Sequence, residues 1–114
     1  MAPKRKERVA PPPGPAEWDV RFGNNEAVRG WEELCSQAAT NTRRAWEQLR
    51  TQPRAVPSTP RQHRLKGELG TNHGYEQWQI EVTGAGRIWY WIDDDKRIVW
   101  VVVHAGTGHP KATE

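Results

Sequence analysis

The residues between 61 and 111 constrain the fold more than any others, because they hold successive strand patterns joined by turn chemistry. Trp78, Ile80 and Val82 alternate with Gln79, Glu81 and Thr83, the period of two of a half-buried strand. Gly84-Ala85-Gly86 follows, and glycine tolerates the positive φ of a tight hairpin turn. Residues 87–92 are apolar on both faces, which predicts a central strand covered on each side. Asp93-Asp94-Asp95-Lys96 then turns the chain into residues 98–104, again nearly continuously apolar. Upstream, His63 and Leu65 belong to a shorter strand broken at Gly67, with a turn over residues 70–74. The expectation is an antiparallel sheet of three to four strands.

The first half supplies what covers that sheet. Residues 16–22 alternate, with Trp18, Val20 and Phe22 on one face, and predict a strand. Asn24 or Asn25 caps a helix reaching about Ala38, with Val28, Trp31, Leu34, Cys35 and Ala38 on its core side. Thr40 or Asn41 caps a second helix, whose Thr42, Ala45, Trp46 and Leu49 share one face and which Pro53 ends. The short connection favours an antiparallel helical hairpin. The fold class is therefore α+β: an N-terminal strand, two helices, then the sheet. At 114 residues this is one domain, and seven tryptophans carry much of its burial. The single cysteine excludes an intramolecular disulfide and a cysteine metal site. Its helical spacing predicts a buried, unreactive thiol.

Residues 1–15 form a basic, then proline-rich tail outside the domain of residues 16–114. The formal net charge is +3, yet the tail carries four of the 17 basic and one of the 14 acidic side chains, so the remainder is balanced. Bulk charge thus gives nucleic-acid binding little support. No apolar run approaches the ~20 residues that span a bilayer, and the N-terminus has no signal-peptide core, so a cytoplasmic protein is expected.

Several chemistries are poorly provided for. There is no glycine-rich phosphate loop leading into a helix, and no His-x-x-x-His or Cys-x-x-Cys spacing. Gly106-Thr107-Gly108 reads as a turn, and the aspartates 93–95 as a solvated hairpin tip. Cofactors and metals are not expected. What remains is a set of cations and imidazoles along the sheet half: Arg61, His63, Arg64, Lys66, Arg87, His104, His109 and Lys111. Adjacent strands lie ~4.8 Å apart, so a meander can bring such groups together. Metal-free RNA cleavage needs a base for the 2′-hydroxyl, cations for the phosphorane and an acid for the leaving oxygen. Arginine suits the cationic role and histidine the proton transfers. The structural alternative for Arg87 is a strand-start salt bridge to Glu81 or Asp93, and for His104 a satisfied core position.

In element order the chain resembles the RelE/ParE superfamily of bacterial toxins, over roughly residues 16–111. The resemblance rests on Leu65-Lys66-Gly67-Glu68-Leu69, on the run from Gly86-Arg87 to Ile92-Asp93, and on Val103-His104-Ala105-Gly106-Thr107-Gly108-His109. It implies a ribosome-dependent mRNA endoribonuclease in which Arg87 contacts the scissile phosphate. His109 and Glu81 are then the candidates for proton transfer, and Arg61, Arg64, Lys66 and Lys111 for binding RNA. The departures are the outward Gln79 and Glu81, where the best-understood members present lysines, and a C-terminal segment with His109 and Lys111 but no tyrosine. A ParE-like inhibitor of DNA gyrase with no nuclease activity is the alternative, as is a member that only binds its antitoxin. The implied partners are a cognate antitoxin, and either the ribosome with its mRNA or gyrase.

Overall fold

The computed structural model describes residues 5–6 and 12–103. The chain runs β1 (Asp19–Phe22), α1 (Asn25–Gln37), α2 (Ala39–Thr51), β2 (Gln62–Arg64), a 3-10 turn (Gly67–Gly70), β3 (Thr71–Asn72), β4 (Tyr75–Glu81), β5 (Arg87–Asp93) and β6 (Ile98–Val103). The predicted α+β class is observed, but the sheet is larger and mixed. Its order is β1-β6-β5-β4-β2, with β3 also paired to β4. β1 joins it parallel to β6, with Val20 opposite Val99 and Phe22 opposite Val101. The other pairings are antiparallel. The expected turn over residues 70–74 instead contains β3, and only His73 and Gly74, both at positive φ, make the reversal.

Alternation decides which side of the sheet meets the helices. Trp78, Ile80, Val82, Ile88, Tyr90, Ile92, Val99 and Val101 form one core with Val20 and Phe22 of β1. The helices contribute Ala27, Val28, Trp31, Leu34, Ala45, Trp46 and Leu49 to the same core. Asn24 caps α1, its Oδ1 accepting from the Ala27 N–H at 2.8 Å while its Nδ2 donates to the Val102 carbonyl. One residue thus ends the connection from β1 and ties the helix to the last strand.

Two helix expectations are corrected. α2 starts after Ala38, with no side-chain cap, rather than at Thr40 or Asn41. Helix α1 stops one residue earlier, and the buried Thr42 hydroxyl donates back to the Leu34 carbonyl at 3.1 Å, so the two helices fasten each other. Cys35 is exposed, not buried. It lies ~100° round the helix from the fully buried Leu34, at the edge of the stripe that Ala27, Trp31 and Leu34 define.

The other face of β4 and β5 is polar and aromatic. Gln79 Oε1 accepts from Trp89 Nε1 at 2.7 Å, and Gln77 Oε1 from Trp91 Nε1 at 2.9 Å, giving two cross-strand rungs. Both glutamines are buried, and the indoles satisfy their carbonyls. Tyr75 stacks on Trp91 with ring centroids 5.7 Å apart, and His73 lies 5.1 Å from the same ring. No helix among the described residues is long and apolar enough to cross a membrane.

Candidate functional site

The β4–β5 hairpin gathers the charged groups. Glu81 ends β4 and Arg87 begins β5, as cross-strand partners. The turn between them closes through the Val82 N–H on the Gly86 carbonyl at 2.9 Å, and the Gly86 N–H on Thr83 Oγ1 at 2.7 Å. On the other side of β4, the Glu81 N–H donates to the Arg61 carbonyl at 2.7 Å, which sets Arg61 beside Glu81. The Glu81 carboxylate therefore lies between two guanidinium groups, 3.7 Å from Arg61 Nε and 3.5 Å from Arg87 Nη1.

Those two arginines are not equivalent. The Arg61 side chain is 82% exposed and that of Arg87 only 14%. Arg87 Nη1 donates to the carbonyls of Thr83 at 2.9 Å, Gly84 at 3.2 Å and Gly86 at 3.3 Å. It braces the hairpin turn from inside, and the salt bridge to Glu81 foreseen as the structural alternative is present. Arg61 is the cation of this cluster that an incoming anion meets first. An anion that takes the Arg61 guanidinium displaces Glu81 from it, leaving a carboxylate at the anion's side as a proton acceptor.

A cleft of about 390 Å³ opens beside this cluster. Helix α2 forms one wall with Asn41, Arg44, Ala45 and Gln48. Thr59, Arg61 and Gln62 form a second, and residues 80–84 the third. Its position is held by buried hydrogen bonds. Gln62 Nε2 donates to the Gln52 carbonyl at 2.9 Å and to the Tyr90 hydroxyl at 3.0 Å, while that hydroxyl donates to the Pro53 carbonyl at 2.6 Å. Gln48 Nε2 reaches Gln62 Oε1 at 3.0 Å, joining α2 to β2. Burial holds the Tyr90 phenol above its ordinary range, although the Gln62 hydrogen bond opposes this. The hydroxyl stays protonated and keeps donating.

The remaining expected site residues lie elsewhere. Arg64, at the far end of β2, turns away from the Glu81 cluster and donates to the Gly70 carbonyl at 2.8 Å and Thr71 Oγ1 at 2.9 Å. It fastens the 3-10 turn and β3. Lys66 and His63 border a second, shallower hollow with Ser58, Thr59 and Pro60. His104, His109 and Lys111, and the Gly106-Thr107-Gly108 turn, lie outside the described residues. The aspartates at the end of β5 are engaged separately: Asp93 accepts from the Lys96 N–H at 3.2 Å, and Asp94 pairs with Arg54 at 3.0 Å. Sequence reasoning missed Asn41, Arg44 and Gln48 as site residues. Their only signal was position on the polar side of α2, which acquires meaning once that helix is packed over β2.

Compared with family models, with curated proteins and with solved structures, the chain matches none.

Proposed function

We propose that this chain is a RelE/ParE-like toxin that acts on RNA, as a metal-independent endoribonuclease cutting translated mRNA at the ribosome. The observation that carries the reading is the carboxylate of Glu81 set between two arginines, one braced and one exposed, at the mouth of a cleft. The exposed Arg61 binds the phosphate backbone, Glu81 takes the proton of the attacking 2′-hydroxyl, and Arg87 keeps the hairpin and the carboxylate in place. His109, from the segment after β6, remains the proposed acid, and Lys66 and Lys111 further backbone contacts. A cognate antitoxin is the proposed partner that silences the protein.

One observation favours a second reading. Arg87 Nη1 is already engaged by three hairpin carbonyls, which leaves less of this guanidinium for the phosphate clamp expected from the resemblance. A ParE-like inhibitor of DNA gyrase needs no such clamp.

Induced expression in a bacterial host without a partner, followed by primer extension on a translated transcript, separates the two. Arg61→Ala and Glu81→Gln are the decisive variants, because neither removes a group that braces the hairpin. Cleavage within codons that disappears in both supports the nuclease. Cleavage undiminished in both refutes the assigned roles, and growth arrest with intact mRNA and a DNA-damage response moves the assignment to gyrase.

A further inference from the structure

We propose that the cleft between α2 and the β4–β5 hairpin seats one unpaired nucleobase of a single-stranded RNA, with Arg44 and Arg61 holding the flanking phosphates. The inference rests on the RNA-directed reading and adds the part of the substrate that this site takes. The cleft's volume of about 390 Å³ is near the small end of the ~300–1,000 Å³ range of ligand sites. One turn of a partner helix with its side chains, ~10 Å across and ~5.4 Å high, would already occupy roughly 400 Å³. A docked helix of several turns would exceed this space, and a small group would not.

Its chemistry is that of a base pocket. Ala45, Ile80 and Val82, all part of the core, give it an apolar floor on which a ring can lie. The Asn41 amide stands on the α2 wall and offers the paired donor and acceptor that a base edge presents, while Gln48, whose Nε2 is held by Gln62, adds its Oε1 as an acceptor. Arg44 and Arg61 are both exposed and line the cleft from different segments, α2 and the turn before β2. Guanidinium groups so placed suit phosphates before and after a splayed-out nucleotide. A duplex keeps its bases stacked inside, so only an unpaired nucleotide can enter. Arg61 also contacts Glu81, so the seated base would be adjacent to the proposed cleavage chemistry and would influence which position is cut.

The test uses the purified full chain and a fluorescently labelled hexanucleotide RNA, intact or with one abasic position, measured by anisotropy. Wild-type protein is expected to bind the intact strand roughly tenfold more tightly, near the low end of what a missing group costs in a shaped pocket. Ala45→Leu fills the floor and should erase this difference while leaving salt-dependent affinity in place. Arg44→Glu, at an exposed position that cannot unfold the core, should weaken both strands together. Equal binding of the two strands by wild type overturns the proposal, as does no binding, discrimination that survives in a folded Ala45→Leu protein, or an acidic peptide that displaces the RNA while the abasic strand binds normally. Transcript cleavage by the same proteins separates this result from the nuclease assignment. Codon cleavage without base discrimination removes the pocket and keeps the nuclease. Base discrimination by a chain that cleaves nothing does the reverse.

Discussion

Replacing Tyr90 by phenylalanine tests how the site is held. The ring is fully buried, and its hydroxyl both donates to the Pro53 carbonyl at 2.6 Å and accepts from Gln62 Nε2 at 3.0 Å. Tyr90→Phe keeps the ring and removes both bonds. Each buried hydrogen bond contributes a net ~1 kcal/mol, and an abandoned buried partner costs ~1–3 kcal/mol. Neither partner is wholly abandoned, since Gln62 Nε2 still reaches the Gln52 carbonyl at 2.9 Å and the Pro53 carbonyl at 3.3 Å. The expected loss is therefore about 2 kcal/mol, toward the lower end of that range. For a domain of this size, ~1 kcal/mol lowers Tm by roughly 4–8 °C, so a fall of about 8–16 °C is expected in a thermal melt followed by circular dichroism. Gln62→Leu should destabilise too, and the double variant by less than the two losses combined, because the residues share one network. Arg61 directly precedes Gln62, the first residue of β2, so the variant should also weaken anion binding at the cleft. A Tm within ~2 °C of wild type would refute the claim that this network fixes the β2 wall.

Other consequences are open to simple measurements. Gly70→Ala would place a Cβ 2.4 Å from the Leu65 carbonyl oxygen, so it should cost ~1–3 kcal/mol in chemical denaturation. At Gly67 the added Cβ meets nothing within 4 Å, and alanine there should cost only the ~1 kcal/mol of an L residue at positive φ. Burial pulls the Glu76 carboxyl upward, but hydrogen bonds from Arg54 and the Trp78 indole outweigh it and leave its titration below the ordinary range. A carboxyl depressed on folding stabilises above its unfolded value of ~4.3 and loses that contribution as pH falls through the lower folded value. Glu76→Gln should therefore flatten the acid limb of stability against pH, and an unchanged limb would exclude this pair as its source. Cys35 should react fully with a maleimide in the native state, because it is exposed. Its rate should be below that of a free thiol at neutral pH, since partial burial and then the nearby Glu32 raise its titration.

The helices and strands were legible where a local rule governs them. The α2 stripe of Thr42, Ala45, Trp46 and Leu49 is buried as its spacing predicted, because the helical period alone decides which residues share a side. Asn24 was readable as a cap, and Gly84-Ala85-Gly86 as a hairpin turn, since both depend on neighbouring backbone. Cys35 was misread because it sits at the edge of the buried stripe, where burial depends on the packing partner rather than on the period. The parallel pairing of β1 with β6 had no local signal either. It joins segments from the two ends of the described domain, and it turns a meander into a mixed sheet of six strands.

The candidate site divides in the same way. The sequence offered Glu81 or Asp93 as the structural partner of Arg87, and the register of the β4–β5 hairpin selected Glu81. Arg61 and Arg64 were indistinguishable there, and only the register of β2 on β4 sends one to Glu81 and the other to the 3-10 turn. The cleft itself belongs wholly to the tertiary structure. Its walls come from α2, β2 and the β4–β5 hairpin, and no short-range preference brings them together. Short-range sterics and hydrogen bonding determined the elements of this protein from its sequence. Burial of a shared apolar core, which acts between segments far apart in the chain, decided their arrangement and therefore which charges meet.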